Sequence, residues 1–199
     1  MKNRREFFAA AAAVALTFST ADLALAATDL SAFVNQVADE SITQLSKADA
    51  TDPARAAALK PILLKYFDMP GLARHVLGAY WKKATPDQQQ QFTDAFVNYM
   101  ASVYGQRFKQ YNGQKLEVKR VRDQGAAATV FTAVANGDDQ GARVDWEIRT
   151  GDNPLITDIR VEGLSLADTH RQEFSSVMSQ HNGDINALID ILKSKSLIN

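Results

Sequence analysis

Residues 159–192 read IRVEGLSLADTHRQEFSSVMSQHNGDINALIDIL, and the changes of rhythm inside this stretch decide the fold. Ile159 and Val161 alternate with Arg160 and Glu162, the period-two pattern of a half-buried strand. Gly163 turns the chain, and Ser165, three residues before Asp168, reads as the cap of a helix rather than as a nucleophile. Two amphipathic helices then complete the stretch. A strand feeding helices, after a run of strands that itself comes after a run of helices, is the element order of an α+β domain.

Upstream, the period of two holds from residue 115. Strands are predicted over Lys115–Arg122, Ala126–Ala135, Ala142–Arg149 and Leu155–Glu162, separated by Asp123-Gln124-Gly125, by Asn136–Gly141 and by Gly151–Pro154. Asn112-Gly113 marks the turn into the first. Connections this short imply an antiparallel meander. In the third strand Val144, Trp146 and Ile148 share one face, and Arg143, Asp145, Glu147 and Arg149 the other. In the fourth, Leu155, Thr157, Ile159 and Val161 oppose Ile156, Asp158, Arg160 and Glu162. One apolar and one charged face mean that helices cover a single side of a curved four-stranded sheet.

The helices come first. Leu30–Leu45 carries Phe33, Val37, Ile42 and Leu45 as one stripe. Asp52-Pro53 reads as a cap with proline at the first helical position, and Pro61 and Pro70 divide the next stretch into short pieces. Gly78 ends the piece that starts near Met69. Thr85-Pro86-Asp87-Gln88 is a capping box that opens the longest helix, running to about Tyr111. Its stripe of Phe92, Phe96, Met100 with Tyr99, Val103 and Phe108 can lie on a sheet or line a cavity equally well.

Composition narrows the function. Residues 1–26 have a basic start at Lys2, Arg4 and Arg5, an apolar run from Phe7 to Phe18, and Ala24 and Ala26 before a cleavage point, the pattern of an export signal. Arg4-Arg5-Glu6-Phe7-Phe8 also resembles a twin-arginine signal. Residues 27–199 are then expected to form one domain outside the cytoplasm. Cysteine is absent, which excludes disulfides, thiolate chemistry and a lipid-modified N-terminal Cys. A formal net charge of −1 excludes a nucleic-acid binder on charge grounds. Local basic clusters, Lys82-Lys83 and Lys115, Lys119, Arg120 and Arg122, read as a solvated face or as a site for anionic groups. His75, His170 and His181 fall in separate segments without metal-ligand spacing, so no metal is expected; no cofactor is expected either.

Several of these motifs, taken in order, resemble the MlaC or toluene-tolerance (Ttg2) family of exported phospholipid-binding proteins. Tyr66-Phe67-Asp68, Ala73-Arg74, Leu77-Gly78, Trp81, Phe92, Phe96 and Tyr104 match the order of the family's central helical motif. Val161-Glu162-Gly163-Leu164-Ser165-Leu166 with Arg171 and Phe174 matches its C-terminal one. Two positions depart from it: Asn153–Asp158 supplies no aromatic residue leading into the last strand, and His170 stands where the family often has Tyr. The resemblance implies a cystatin-like or NTF2-like fold and a periplasmic carrier that shields phospholipid acyl chains in an apolar cavity. It implies as partners an inner-membrane ABC transporter complex and an outer-membrane lipoprotein complex. The departures leave open a divergent member handling another lipid, such as a hopanoid-related one.

A carrier of acyl chains needs dry walls, since each methylene returned to water costs about 0.8 kcal/mol. The expected lipid-binding wall is Phe92, Phe96, Met100 and Tyr104 from the long helix, Val130, Val144, Trp146, Ile148, Ile159 and Val161 from the sheet, and Phe174 and Val177 from the helix after Ser165. Without the resemblance, the same residues read as an ordinary core. Arg171 either binds a phosphate or braces its helix by pairing with Asp168 or another carboxylate. An enzyme is not expected. Ser165, Asp168 and His170 hold triad residue types but crowd into one strand-to-helix corner, and Gly163–Ala167 lacks the final glycine of a nucleophile elbow. A lipid-modifying or isomerase-like activity would need a polar pair inside the cavity, whereas Asp145 and Glu147 alternate away from Trp146.

Overall fold

The computed structural model describes residues 20–49, 51–111, 113–135 and 141–198, with side chains from residue 30 onward. The export segment expected over residues 1–26 therefore lies outside the described residues, apart from backbone from Thr20 on, and so do Asn112 and residues 136–140 of the predicted turns. Six helices and five strands succeed one another: α1 (Thr20–Lys47), α2 (Asp52–Tyr66), α3 (Met69–Leu77), a 3-10 segment (Gly78–Lys82), α4 (Pro86–Arg107) with a 3-10 extension (Phe108–Gln110), β1 (Lys115–Asp123), β2 (Ala127–Ala135), β3 (Ala142–Arg149), β4 (Leu155–Val161), β5 (Leu164–Ser165), α5 (Leu166–Gln180) and α6 (Ile185–Lys195). Among the described residues no helix is long and apolar enough to cross a membrane.

The helix ends obey local chemistry. At α4 the box is complete: Gln88 N–H donates to Thr85 Oγ1 at 3.2 Å and Thr85 N–H to Gln88 Oε1 at 3.0 Å. Gly78 closes α3 with φ +58°, its N–H bonding to the carbonyls of Arg74 and His75, a conformation that favours glycine. Two sequence expectations need correction in α2. The cap is Thr51, one residue before Asp52, and Asp52 instead pairs with Arg55 at 3.4 Å and Lys109 at 2.7 Å. Pro61 does not divide the segment but sits inside α2. An interior proline costs about 3 kcal/mol. Leu59, Ile62, Leu63 and Tyr66 are buried on either side of it, and at about 1.5–3 kcal/mol per large apolar side chain their burial outweighs that cost.

The sheet is an antiparallel meander in the order β1-β2-β3-β4-β5, five strands rather than the expected four. The extra strand arises from the Val161–Ser165 motif. Glu162 and Gly163 both have positive φ, 51° and 82°, making a two-residue hairpin that returns Leu164 opposite Val161. Cross-strand rows set the inner face: Val121, Val130, Trp146 and Ile159 lie side by side, and Ala128, Ile148 and Ile156 form the next row. That second row corrects the reading of the fourth strand. A register shift at Thr157 turns Ile156, fully buried, and Ile159 to the same face, whereas simple alternation places them on opposite faces. The outer face is charged as expected, but Phe131 also lies there, under the guanidinium groups of Arg120, Arg122 and Arg143.

Helices cover the inner face without a continuous layer of contact. α1 packs on β1 and β2, α3 and α5 on β4, while α4 packs chiefly on α2 and α6. The junction between α2 and α3 is tied to the sheet by a bridge from Phe67 to Ile156, by Asp68 N–H to Ile156 carbonyl at 2.9 Å, and by an Arg149–Asp68 ion pair at 2.8 Å. Asp68 also caps α3 through Gly71 N–H at 3.1 Å. Close approach of α2 to α4 depends on Gly105, where a Cβ would stand 3.0–3.2 Å from backbone atoms of Arg55 and Ala56. Gly105→Val is therefore expected to push the two helices apart and lower stability by about 1–3 kcal/mol, read as a fall in the urea midpoint with the slope unchanged.

Candidate functional site

Because α4 is held to α2 and α6, a space remains between it and the inner face of the sheet. It is a partly enclosed cavity of about 210 Å³. α1 contributes Val37 and Ser41, α2 Leu59, Ile62 and Leu63, and the α2–α3 junction and α3 contribute Phe67, Met69 and Leu72. Phe96, Met100 and Tyr104 come from α4, Trp146 from β3, Asp158 and Ile159 from β4, and Leu166, Ala167 and His170 from α5. The wall is nearly all carbon. Protein interiors normally close such gaps. Left without contents, an apolar cavity of this size costs on the order of 5 kcal/mol, comparable to the lower end of a domain's stability.

A second, more open hollow of about 390 Å³ lies toward the C-terminal end of α4, among Ile42, Leu45, Phe108, Tyr111, Leu116 and Val134. The two share Ser41 and Trp146, so the Trp146 indole stands between them. Its position is pinned. Nε1–H donates to Thr132 Oγ1 at 3.2 Å, and Thr132 Oγ1 donates to the Val144 carbonyl at 2.7 Å.

Of the wall expected from sequence, the structure brings Phe96, Met100, Tyr104, Trp146 and Ile159 together around the cavity. The others stand elsewhere. Phe92, Val130 and Ile148 are fully buried in the solid part of the core. Phe174 stacks edge-on against Phe92, Phe96 and Tyr99 and, with Val177, lines a separate hollow between α4, α5 and α6. Val144 is half-buried, and Val161 is exposed, because β4 runs out past the covering helices at the β4–β5 turn. Sequence reasoning missed the contributions of α1, α2 and α3. The spacing Leu59, Ile62, Leu63 did mark an inward stripe, but nothing local says that it faces a cavity.

The polar groups at the site are few and partnered. His170, 5 % exposed, accepts or donates at Nε2 with Tyr104 Oη at 3.1 Å and at Nδ1 with Glu173 Oε2 at 3.0 Å. Asp158 Oδ1 accepts from Ala167 N–H at 3.1 Å, tying β4 to the start of α5. Burial pushes the Tyr104 hydroxyl above the usual phenol range, and Tyr99 likewise, so both stay neutral. The three residues of triad type each have other partners. Ser165 Oγ accepts from Asp168 N–H at 3.0 Å as a helix cap. Asp168 pairs with His75 at 2.8 Å, and His170 turns the other way. Arg171 is not braced by Asp168. Its guanidinium lies against Gly78, with Nε 3.3 Å from where a Cβ would be. Asp145 is almost fully buried, but beside Arg143 on the outer face. Among the described residues no group of His, Cys, Asp and Glu is placed to hold a metal.

Comparison with known proteins places this geometry. Residues 35–194 match the model of the MlaC protein family, which is most of the chain and every element that builds the cavity. The chain belongs to the MlaC family. It is 26 % identical over 136 residues to the toluene tolerance protein ttg2D of Pseudomonas putida, an alignment covering 67 % of this chain and 63 % of that relative. The chain thus spans somewhat less than two thirds of that protein's length. A phospholipid-binding protein from Ralstonia solanacearum, solved in complex with a phospholipid, superposes with a TM-score of 0.71 at 22 % identity, over 82 % of this chain and 94 % of that one. The MlaC fold, helices against one face of an antiparallel meander, is therefore shared.

The Trp146 anchor is directly testable. Thr132→Val keeps the side-chain shape and removes the acceptor for a buried indole N–H, and the expected loss is about 1–3 kcal/mol in urea unfolding. In a Trp81→Phe background, which leaves Trp146 as the single tryptophan, the same change should shift the emission spectrum.

Proposed function

We propose that this protein is a periplasmic carrier that takes the acyl chains of a phospholipid into the cavity between α4 and the sheet and moves the lipid between membranes. The observation that carries the reading is the carbon-walled space of about 210 Å³ in a chain of the MlaC family. Support comes from the Ralstonia protein of the same fold, which holds a phospholipid. The physics agrees. Each methylene sheltered from water contributes about 0.8 kcal/mol, so a lipid seated here is stabilised without any covalent step, and the guest offsets the cost of the unfilled interior. The adjoining hollow beside Trp146 extends the same apolar lining for chains longer than the inner cavity accepts.

Export by a cleaved N-terminal signal belongs to this reading, as do two membrane partners. One is an inner-membrane ABC transporter complex and the other an outer-membrane lipoprotein complex. A lipid held in a dry pocket leaves slowly into water, so exchange at a docked partner is the physically favoured route.

Native mass spectrometry of the mature protein, with organic extraction of the same sample, should find bound phospholipid. A protein recovered free of lipid, and unable to take any from vesicles of phosphatidylethanolamine and phosphatidylglycerol, would overturn the proposal. Ala167→Trp puts an indole into the cavity and should cut occupancy at least several-fold while leaving a cooperative unfolding transition. Trp146→Asp should unload the lipid by placing a carboxylate in the apolar wall. Undiminished loading by folded forms of both would remove the cavity as the binding site.

A further inference from the structure

His170 is the most deeply buried ionisable side chain among the described residues of this wall, and every ring around it is aromatic. Phe96, Tyr99, Tyr104 and Phe174 surround it at centroid distances of 6.4, 5.9, 6.1 and 5.8 Å. An ionised carboxylate can only accept a hydrogen bond, so the 3.0 Å contact with Glu173 places a proton on Nδ1. In the neutral ring Nε2 is then a bare acceptor, and at 3.1 Å it takes the hydroxyl hydrogen of Tyr104. Tyr104 Oη is left with only lone pairs to present to any neighbour. The phosphate and ester oxygens of a phospholipid are lone pairs as well, so in this state the two repel.

Protonation of His170 reverses the arrangement. Nε2–H then donates to Tyr104 Oη, and the phenol's own hydrogen is released to donate to a cargo oxygen. We propose that Tyr104, His170 and Glu173 form a polar subsite in the cavity wall that binds an acceptor oxygen of the lipid, with His170 the positioning residue whose protonation turns Tyr104 from acceptor to donor. Cargo is then held more tightly as pH falls. The inference rests on the lipid-carrier reading above and adds to it the chemistry by which the pocket recognises the polar end.

Charged and titratable groups face the ring from several elements. Glu173 of α5 pairs with it directly, and Asp158 of β4 lines the same cavity. The cations nearby are Arg107 of α4, whose guanidinium lies 5.1 Å over the Tyr104 ring, and Arg171 of α5. Asp168, the remaining carboxylate near this turn, is engaged with His75 of α3 at 2.8 Å. Tyr99 and Tyr104 carry no charge, as burial raises both hydroxyls.

The test titrates delipidated mature protein calorimetrically with dihexanoyl phosphatidylglycerol at about pH 5.5 and about pH 7.5, on either side of the ordinary histidine range. Wild type should bind about tenfold more tightly at the lower pH, the scale of one charge-assisted hydrogen bond. His170→Phe and His170→Tyr should each lose that dependence, and two variants guard against one that fails to fold. In wild type the His170 ring signals in a nitrogen-resolved NMR titration should show a midpoint moved to higher pH by the lipid. Dihexanoylglycerol, which has ester but no phosphate oxygens, separates the two sources. A pH response shared by both lipids assigns the ester, and one confined to phosphatidylglycerol assigns the phosphate; either sustains the subsite. A His170 shift produced equally by inorganic phosphate alone overturns it, and so does an equal pH response in wild type and both variants. Failure of every lipid to bind at either pH would overturn the carrier reading itself, whereas binding without His170-dependent pH response overturns only this inference.

Discussion

The interior of this protein depends on one spacing: α4 is fastened to α2 and α6 and so cannot settle onto the sheet. Gly105 lets the backbones of α2 and α4 meet, and Ala95, Ala101 and Ser102 of α4 are likewise small and buried. α1, α3 and α5 touch the sheet and act as the supports on which the remaining helices rest. A sheet and a helix layer kept apart in this way enclose a volume that the inward side chains leave partly unfilled. The cavity is a consequence of where the helices are fixed, and its apolar lining comes from the side chains that each element turns inward.

The sheet contributes rigidity as well as surface. The row Val121, Val130, Trp146, Ile159 crosses four strands, and the Thr132 hydroxyl holds the indole at its centre. The irregularity at Thr157 lets β4 present both Ile156 to the solid core and Ile159 to the cavity. On the far side, arginines over Phe131 and ion pairs around Asp145 and Glu147 brace the outer face. Polar residues that could suggest catalysis are occupied with architecture: Ser165 caps a helix, Asp168 holds His75, and Asp145 faces outward. The Tyr104–His170–Glu173 chain is the exception, since two of its members line the cavity itself.

Much of the fold was legible because its signals are local. The period-two runs located all four long strands to within a residue or so, the Thr85 box and Gly78 set helix ends where they stand, and Val161–Ser165 marked both the turn and the cap. The misreadings have tertiary causes. Pro61 would end an isolated helix, but here it is carried by buried neighbours from α2's own inward face. Thr157 interrupts an alternation that looks regular in sequence, and β5 is too short to give any period at all. Of the large residues of α4 and the centre of the sheet, readable as inward-facing, Phe96, Met100, Tyr104, Trp146 and Ile159 line the cavity. Phe92, Val130 and Ile148 face inward just as strongly, and no local pattern distinguishes a side chain against another side chain from one against a cavity.

By itself the sequence determined the class of the domain and the order and nature of its elements, because periodicity, caps and turn residues act through neighbours a few positions apart; its motifs carried the resemblance to the family that the comparison then showed. Only the tertiary structure decided that the core is incomplete, where the incompleteness lies, and that His170 stands between Tyr104 and Glu173 at its wall. Those facts depend on the distance between α4 and the sheet. That distance is set by contacts between residues such as Ala56 and Gly105, far apart in the chain, and nothing in either neighbourhood announces the other.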